Sequence, residues 1–63
     1  MTMQGDRIRL ISFSDPFITI QPGTEGTVGF VDARGTVYVR WDDGRCLGLV
    51  PGIDRWLDVE EER

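Results

Sequence analysis

The sequence predicts an all-β domain, a small five-stranded antiparallel barrel, on three observations. Apolar and polar residues alternate over short segments, turn signals centred on Gly and Pro separate those segments, and no stretch repeats apolar residues at helical spacing. Eight glycines and three prolines spread through 63 residues leave room for little more than a single helical turn.

The first strand is expected over Asp6 to Ser12, where Ile8 and Leu10 share one face and Arg7 and Arg9 the other. Phe13 to Gln21 is then a long excursion, because Asp15-Pro16 cannot sit inside a central ladder. Pro22-Gly23 suits the two central positions of a type II turn, the proline presetting φ and the glycine accepting a positive φ. A second strand follows from Thr24 to Asp32. Within it Val28 and Val31 both read as core residues although they are three apart, so a bulge near Gly29 or Phe30 is required to bring them to one face.

Thr36 to Trp41 carries the clearest alternation in the chain, with Val37, Val39 and Trp41 facing one way and Tyr38 and Arg40 the other. The loops on either side, Asp32-Ala33-Arg34-Gly35 and Asp42-Asp43-Gly44, each pair an aspartate that can cap a turn with a glycine suited to a G1 bulge. Arg45 to Val50 is the fourth strand, with Leu47 and Leu49 inward and Gly48 permitting curvature or a close backbone approach. Pro51 to Asp54 is expected to form one 3₁₀ turn, and Arg55 to Val59 a short fifth strand. Residues 1–4 and 60–63 are expected to fray, which leaves 5–59 as the domain. Five short strands with a long first loop, tight hairpins and a one-turn helix before the last strand follow the order of an SH3-like barrel.

A chain of this length buries only about 60% of the surface its unfolded form exposes, so its stability is marginal. One cysteine, Cys46, allows no internal disulfide, and the absence of histidine removes the usual zinc ligand sets. No apolar run is long enough to span a membrane and no secretory signal is evident, so a cytoplasmic location is expected. The net charge of -4 works against non-specific binding to nucleic acid. All seven basic residues are arginine, a usage that points first to GC-rich coding DNA.

Catalysis would need a nucleophile with its base, a tuned carboxylate pair or a metal, and none is assembled along the chain. Cys46 has no histidine partner and reads as an inert, small apolar strand residue. Asp42 and Asp43 are explained by turn capping rather than by calcium or magnesium. Pro22-Gly23-Thr24-Glu25-Gly26 lacks the Gly-Lys-Ser/Thr ending and the following helix of a phosphate loop. The expectation is therefore a non-enzyme without metal or cofactor.

Four segments, Gly5-Asp6-Arg7-Ile8-Arg9-Leu10, Pro22-Gly23-Thr24-Glu25-Gly26-Thr27-Val28, Val39-Arg40-Trp41-Asp42-Asp43-Gly44 and Leu47-Gly48-Leu49-Val50-Pro51-Gly52-Ile53-Asp54-Arg55-Trp56, span nearly the whole chain. Together they resemble domain-of-unknown-function family 4314, short bacterial and phage-encoded domains. That resemblance implies an SH3-like barrel and a phage or mobile-element setting, and it assigns no catalytic or binding residue. Gly26-Thr27-Val28 resembles, more weakly, the KOW-type barrels of ribosomal and transcription factors, from whose RNA-binding role the acidic charge departs.

Function is expected to lie in contacts with a partner. Trp41 and Trp56 suit inward or barrel-end positions. Phe13, Phe17, Ile18 and Ile20 put too many apolar groups in the first loop for a merely solvated segment, so it either lids the barrel or offers an exposed patch. In an SH3-like domain this loop flanks a shallow groove, here to be lined by Phe13, Phe17, Tyr38, Trp41 and Pro51, and a protein-interaction module docking a peptide or protein surface is the leading expectation. An alternative is a nucleic-acid face of Arg7, Arg9, Tyr38 and Arg40, against which stands cross-strand ion pairing with Asp54, Asp58 and Glu60. A third is a structural role, by self-assembly or in a virion.

Overall fold

The computed structural model describes residues 2–15, 17 and 20–62, so Pro16 and Ile18 of the first loop lie outside the described residues. Five strands, β1 (Arg7–Ser12), β2 (Glu25–Val31), β3 (Val37–Trp41), β4 (Cys46–Leu49) and β5 (Arg55–Asp58), form one antiparallel sheet in the order β4-β3-β2-β1-β5. The fold is thus the all-β, five-stranded arrangement that the alternation predicts. The described ladders leave β4 and β5 as the two edges.

The inner face carries Ile8 and Leu10 from β1, Val28 from β2, Val37, Val39 and Trp41 from β3, and Leu49 from β4, all buried. Phe13, Leu47 and Trp56 pack on this cluster from its margins. The first loop closes over the core in part: Ile20 is buried with it, whereas Phe17 is 93% exposed.

The bulge in β2 exists and brings Val28 and Val31 to one side of the ladder, but only Val28 joins the core. Pairing shifts between Val28 and Phe30, so Val28 faces Val39, Phe30 faces Tyr38 and Val31 faces Val37. Val31 therefore returns to the inner side, yet at the end of the strand nothing covers it fully and it stays 38% exposed. Both predicted hairpin turns close in the same way. The Gly35 N–H donates to the Asp32 carbonyl (3.0 Å) and the Asp32 N–H to the Thr36 carbonyl (3.1 Å); likewise Gly44 donates to Trp41 (3.0 Å) and Trp41 to Arg45 (2.8 Å).

One local prediction is corrected. Pro51-Gly52 does not enter a 3₁₀ turn: Gly52 has φ of 87°, and the Ile53 N–H donates to the Val50 carbonyl at 3.1 Å, the features of a type II turn. Pro22-Gly23 behaves identically, with Gly23 at φ 95° and a 3.1 Å bond from Thr24 to Gln21. A 3₁₀ helix occurs instead after β5, at Val59–Glu62.

At the other end, where fraying is expected, the Thr2 hydroxyl accepts the Trp56 indole N–H (3.0 Å) and donates to Asp58 (3.5 Å). The Gly5 N–H meanwhile donates to the Val28 carbonyl at 2.8 Å.

Candidate functional site

The strand registers place outward side chains in two rows across the face opposite the core. One row runs Arg7, Thr27, Arg40, Cys46, and the other, beyond the bulge, runs Phe30, Tyr38, Gly48. The second row is apolar. Phe30 and Tyr38 stack with ring centroids 4.5 Å apart and planes 14° from parallel, an offset contact that adds to simple burial.

On its other side the Tyr38 ring lies over β4, where a Cβ on Gly48 would come within 3.4 Å of the ring. The phenol donates to Asp32 at 3.3 Å, and the same carboxylate accepts the N–H groups of Arg34 (2.9 Å) and Thr36 (3.0 Å). Partial desolvation opposes ionisation of Asp32, but these donors outweigh it and hold the carboxyl below its ordinary range. The turn carboxylate thereby orients the aromatic side chain.

Beside the stack is a shallow cleft of about 270 Å³, lined by Gly29, Phe30, Tyr38, Val39, Arg40, Cys46 and Leu47. Its floor is apolar and Arg40 supplies its charge. Cys46, read from sequence as an inert packing residue, is an exposed free thiol here because its strand position points outward.

The predicted arginine face divides. Arg7 donates to both Asp42 carboxylate oxygens, at 2.8 and 2.6 Å, and lies 3.5 Å from Glu25; Arg9 reaches Glu25 at 3.3 Å. The bidentate bond from Arg7 lowers the Asp42 pKa, and the same bond raises that of Arg7. The Arg40 side chain alone of the three forms no ion pair or hydrogen bond among the described residues, and Arg40 is exposed.

The cross-strand ion pairing weighed from sequence is therefore present, with Glu25 and Asp42 among the acids that supply it. Asp54 is instead a buried carboxylate, while Asp58 sits opposite the buried Ile8 and bonds Thr2. Because these pairs are half exposed, Arg7→Ala is expected to lower the urea midpoint modestly, by an increment that shrinks as salt is raised to 1 M. Urea titrations at two ionic strengths check this.

The groove residues predicted from sequence do not share one surface. Trp41, at 2% exposure, is interior and lines no groove, since it continues the inward alternation of β3. Phe13 packs on the core side of the sheet, whereas Tyr38 lies on the opposite face. Phe17 is exposed on the first loop and Pro51 at the β4–β5 turn, near Gly35.

Phe30, absent from the predicted set, is the residue that completes the stack. Its outward direction was available from the bulge argument: if Val28 and Val31 both face inward, Phe30 must face out.

Among the described residues there is no cluster of three His, Cys, Asp or Glu side chains that could hold a metal ion, and no helix long and apolar enough to cross a membrane. No curated protein and no solved structure matches the chain significantly. The family model for a domain of unknown function, DUF4314, matches residues 2–59. That match spans every strand and both rows of the outer face, and the chain belongs to the DUF4314 family.

Proposed function

We propose that this chain is a non-catalytic protein-interaction module, which docks a peptide segment or protein surface on the outer face around Phe30 and Tyr38. The observation that carries the reading is the cleft beside the Phe30–Tyr38 stack, an apolar depression on an otherwise charged face, with the phenol of its aromatic wall bonded to Asp32. The nucleic-acid alternative draws less support, because carboxylates occupy Arg7 and Arg9.

The free, exposed Cys46 suits a reducing cytosol, and the family resemblance favours a bacterial host, with a phage or mobile-element setting.

The test is affinity capture from bacterial lysate on the immobilised chain, compared with Phe30→Asp and Tyr38→Ala. Both substitutions lie on the solvent side and are expected to leave the fold intact while removing most of the captured partner. Full retention by both folded variants would reject this face as the docking surface.

A further inference from the structure

The edge of the sheet specifies what kind of partner the face can take. In an antiparallel ladder, opposed residues alternate between pairs that exchange hydrogen bonds and pairs that do not. The bond from the Trp41 N–H to the Arg45 carbonyl sets the phase of the β3–β4 ladder. Val39–Leu47 and Val37–Leu49 are then the bonded pairs. The N–H and C=O groups of Cys46 and Gly48 accordingly point away from β3, off the edge of the sheet.

No strand among the described residues pairs with that edge. The opposite edge is treated differently, since the 3₁₀ helix packs on both β1 and β5. Edge strands are commonly protected by shortness, charge, proline or a bulge; Cys46-Leu47-Gly48-Leu49 is short but contains no charge, proline or bulge.

The unpaired groups and the cleft adjoin one another. Cys46 and Gly48, whose backbones face outward along the edge, stand in the same outer rows as Arg40 and Tyr38 respectively. A strand added antiparallel to β4 would set one residue opposite Gly48 and, two residues later, another opposite Cys46. Gly48 has no side chain, so an aromatic side chain opposite it can lie across the glycine toward the Tyr38 ring. Opposite Cys46, a carboxylate would be next to Arg40, the outer-face arginine with no ion partner among the described residues.

Resting on the interaction-module reading above, we propose that the partner is an extended protein segment added to the β4 edge by strand pairing, with an aromatic residue and, two positions on, an acidic one facing this cleft.

The probe is the synthetic peptide acetyl-Thr-Val-Phe-Val-Asp-Val-Thr-amide, titrated into the ¹⁵N-labelled full chain with amide exchange followed by NMR. Binding is expected to slow exchange of the Cys46 and Gly48 amides and to shift the Tyr38 resonances. Replacing the aspartate of the peptide by lysine is expected to weaken binding on the order of tenfold. Arg40→Glu is expected to reverse that preference, and N-methylation of the peptide at Phe and Asp to abolish binding.

Three results would overturn the proposal: binding with Cys46 and Gly48 exchange unaltered, equal affinity for the aspartate and lysine peptides, or no binding at millimolar peptide. Each would leave the face itself to be judged by the capture experiment. A fourth is dimerisation of the free chain with the same two amides protected, which would assign the edge to a second copy of this chain.

Discussion

Asp54→Ala is expected to lower the free energy of unfolding by about 2 kcal/mol, a large fraction of the roughly 3–9 kcal/mol that a domain of this size possesses. The Asp54 side chain is only 5% exposed, and both of its oxygens are occupied by backbone donors. Ser14 N–H donates to one at 2.8 Å and Val50 N–H to the other at 2.9 Å. The Asp54 N–H in turn donates to the Val50 carbonyl at 2.9 Å, so the residue closes the β4–β5 turn upon itself while holding the start of the first loop. Alanine would leave the Ser14 and Val50 N–H groups without their acceptor, at two positions that are themselves exposed, and the long loop would lose its tie to the sheet. Relief from burying a charge offsets only part of this loss.

The pH dependence separates this charge-assisted clamp from simple packing. Burial pushes the Asp54 carboxyl up, but the Val50 and Ser14 donors outweigh it, and the folded pKa lies below the ordinary value of 3.8. A depressed folded pKa contributes stability that is complete above the unfolded value and is lost as pH falls through the folded one. The difference between wild type and Asp54→Ala, measured by urea unfolding, should therefore be largest near neutral pH and shrink on acidification below about 4. A difference that stays constant down to pH 2 would mean that the carboxylate charge is not what holds the loop.

Asp54 also marks where local sequence ceases to be informative. Val37, Val39 and Trp41 are legible because alternation is a property of consecutive residues, and all three are interior as their spacing requires. Whether a carboxylate is a surface ion partner or a buried clamp depends on donors that tertiary structure delivers, and Ser14 is forty residues away. The chain offers no local sign of that meeting. Pro51-Gly52 is a different case, for the dipeptide reads as a type II turn at Pro22-Gly23 and adopts the same turn at its second occurrence.

The site shows both kinds of outcome. The bulge that separates Val28 from Val31 also dictates that Phe30 faces outward beside Tyr38, so the aromatic stack was derivable. Phe13 and Phe17 are both first-loop apolar residues, yet one packs on the core and the other is exposed. Composition alone carries no information on which of the two would fold back.

Gly26→Ala is expected to destabilise the domain by about 3 kcal/mol, at the upper end of overpacking effects, although it adds a single methyl group. Gly26 lies in the middle of the sheet, opposite Ile8 on one side and Trp41 on the other. A Cβ there would fall 2.7 Å from the Arg40 carbonyl oxygen, 2.7 Å from Val39 Cγ1 and 3.0 Å from Trp41 Cα. Val39 could turn its methyl aside, but two of the three obstacles are backbone. Relief requires β2 and β3 to move apart, and that movement would loosen the buried Val39 and Trp41 together.

Gly29→Ala is the control, because a Cβ at that position meets only the Tyr38 carbonyl, at 3.4 Å. Its effect on stability should stay within about 0.5 kcal/mol. Urea unfolding of the two variants checks the pair. Equal effects would show that the contacts of the Gly26 Cβ are not what sets the cost, whereas a large effect confined to Gly26→Ala would show that the close approach of β2 to β3 is what this sheet cannot give up.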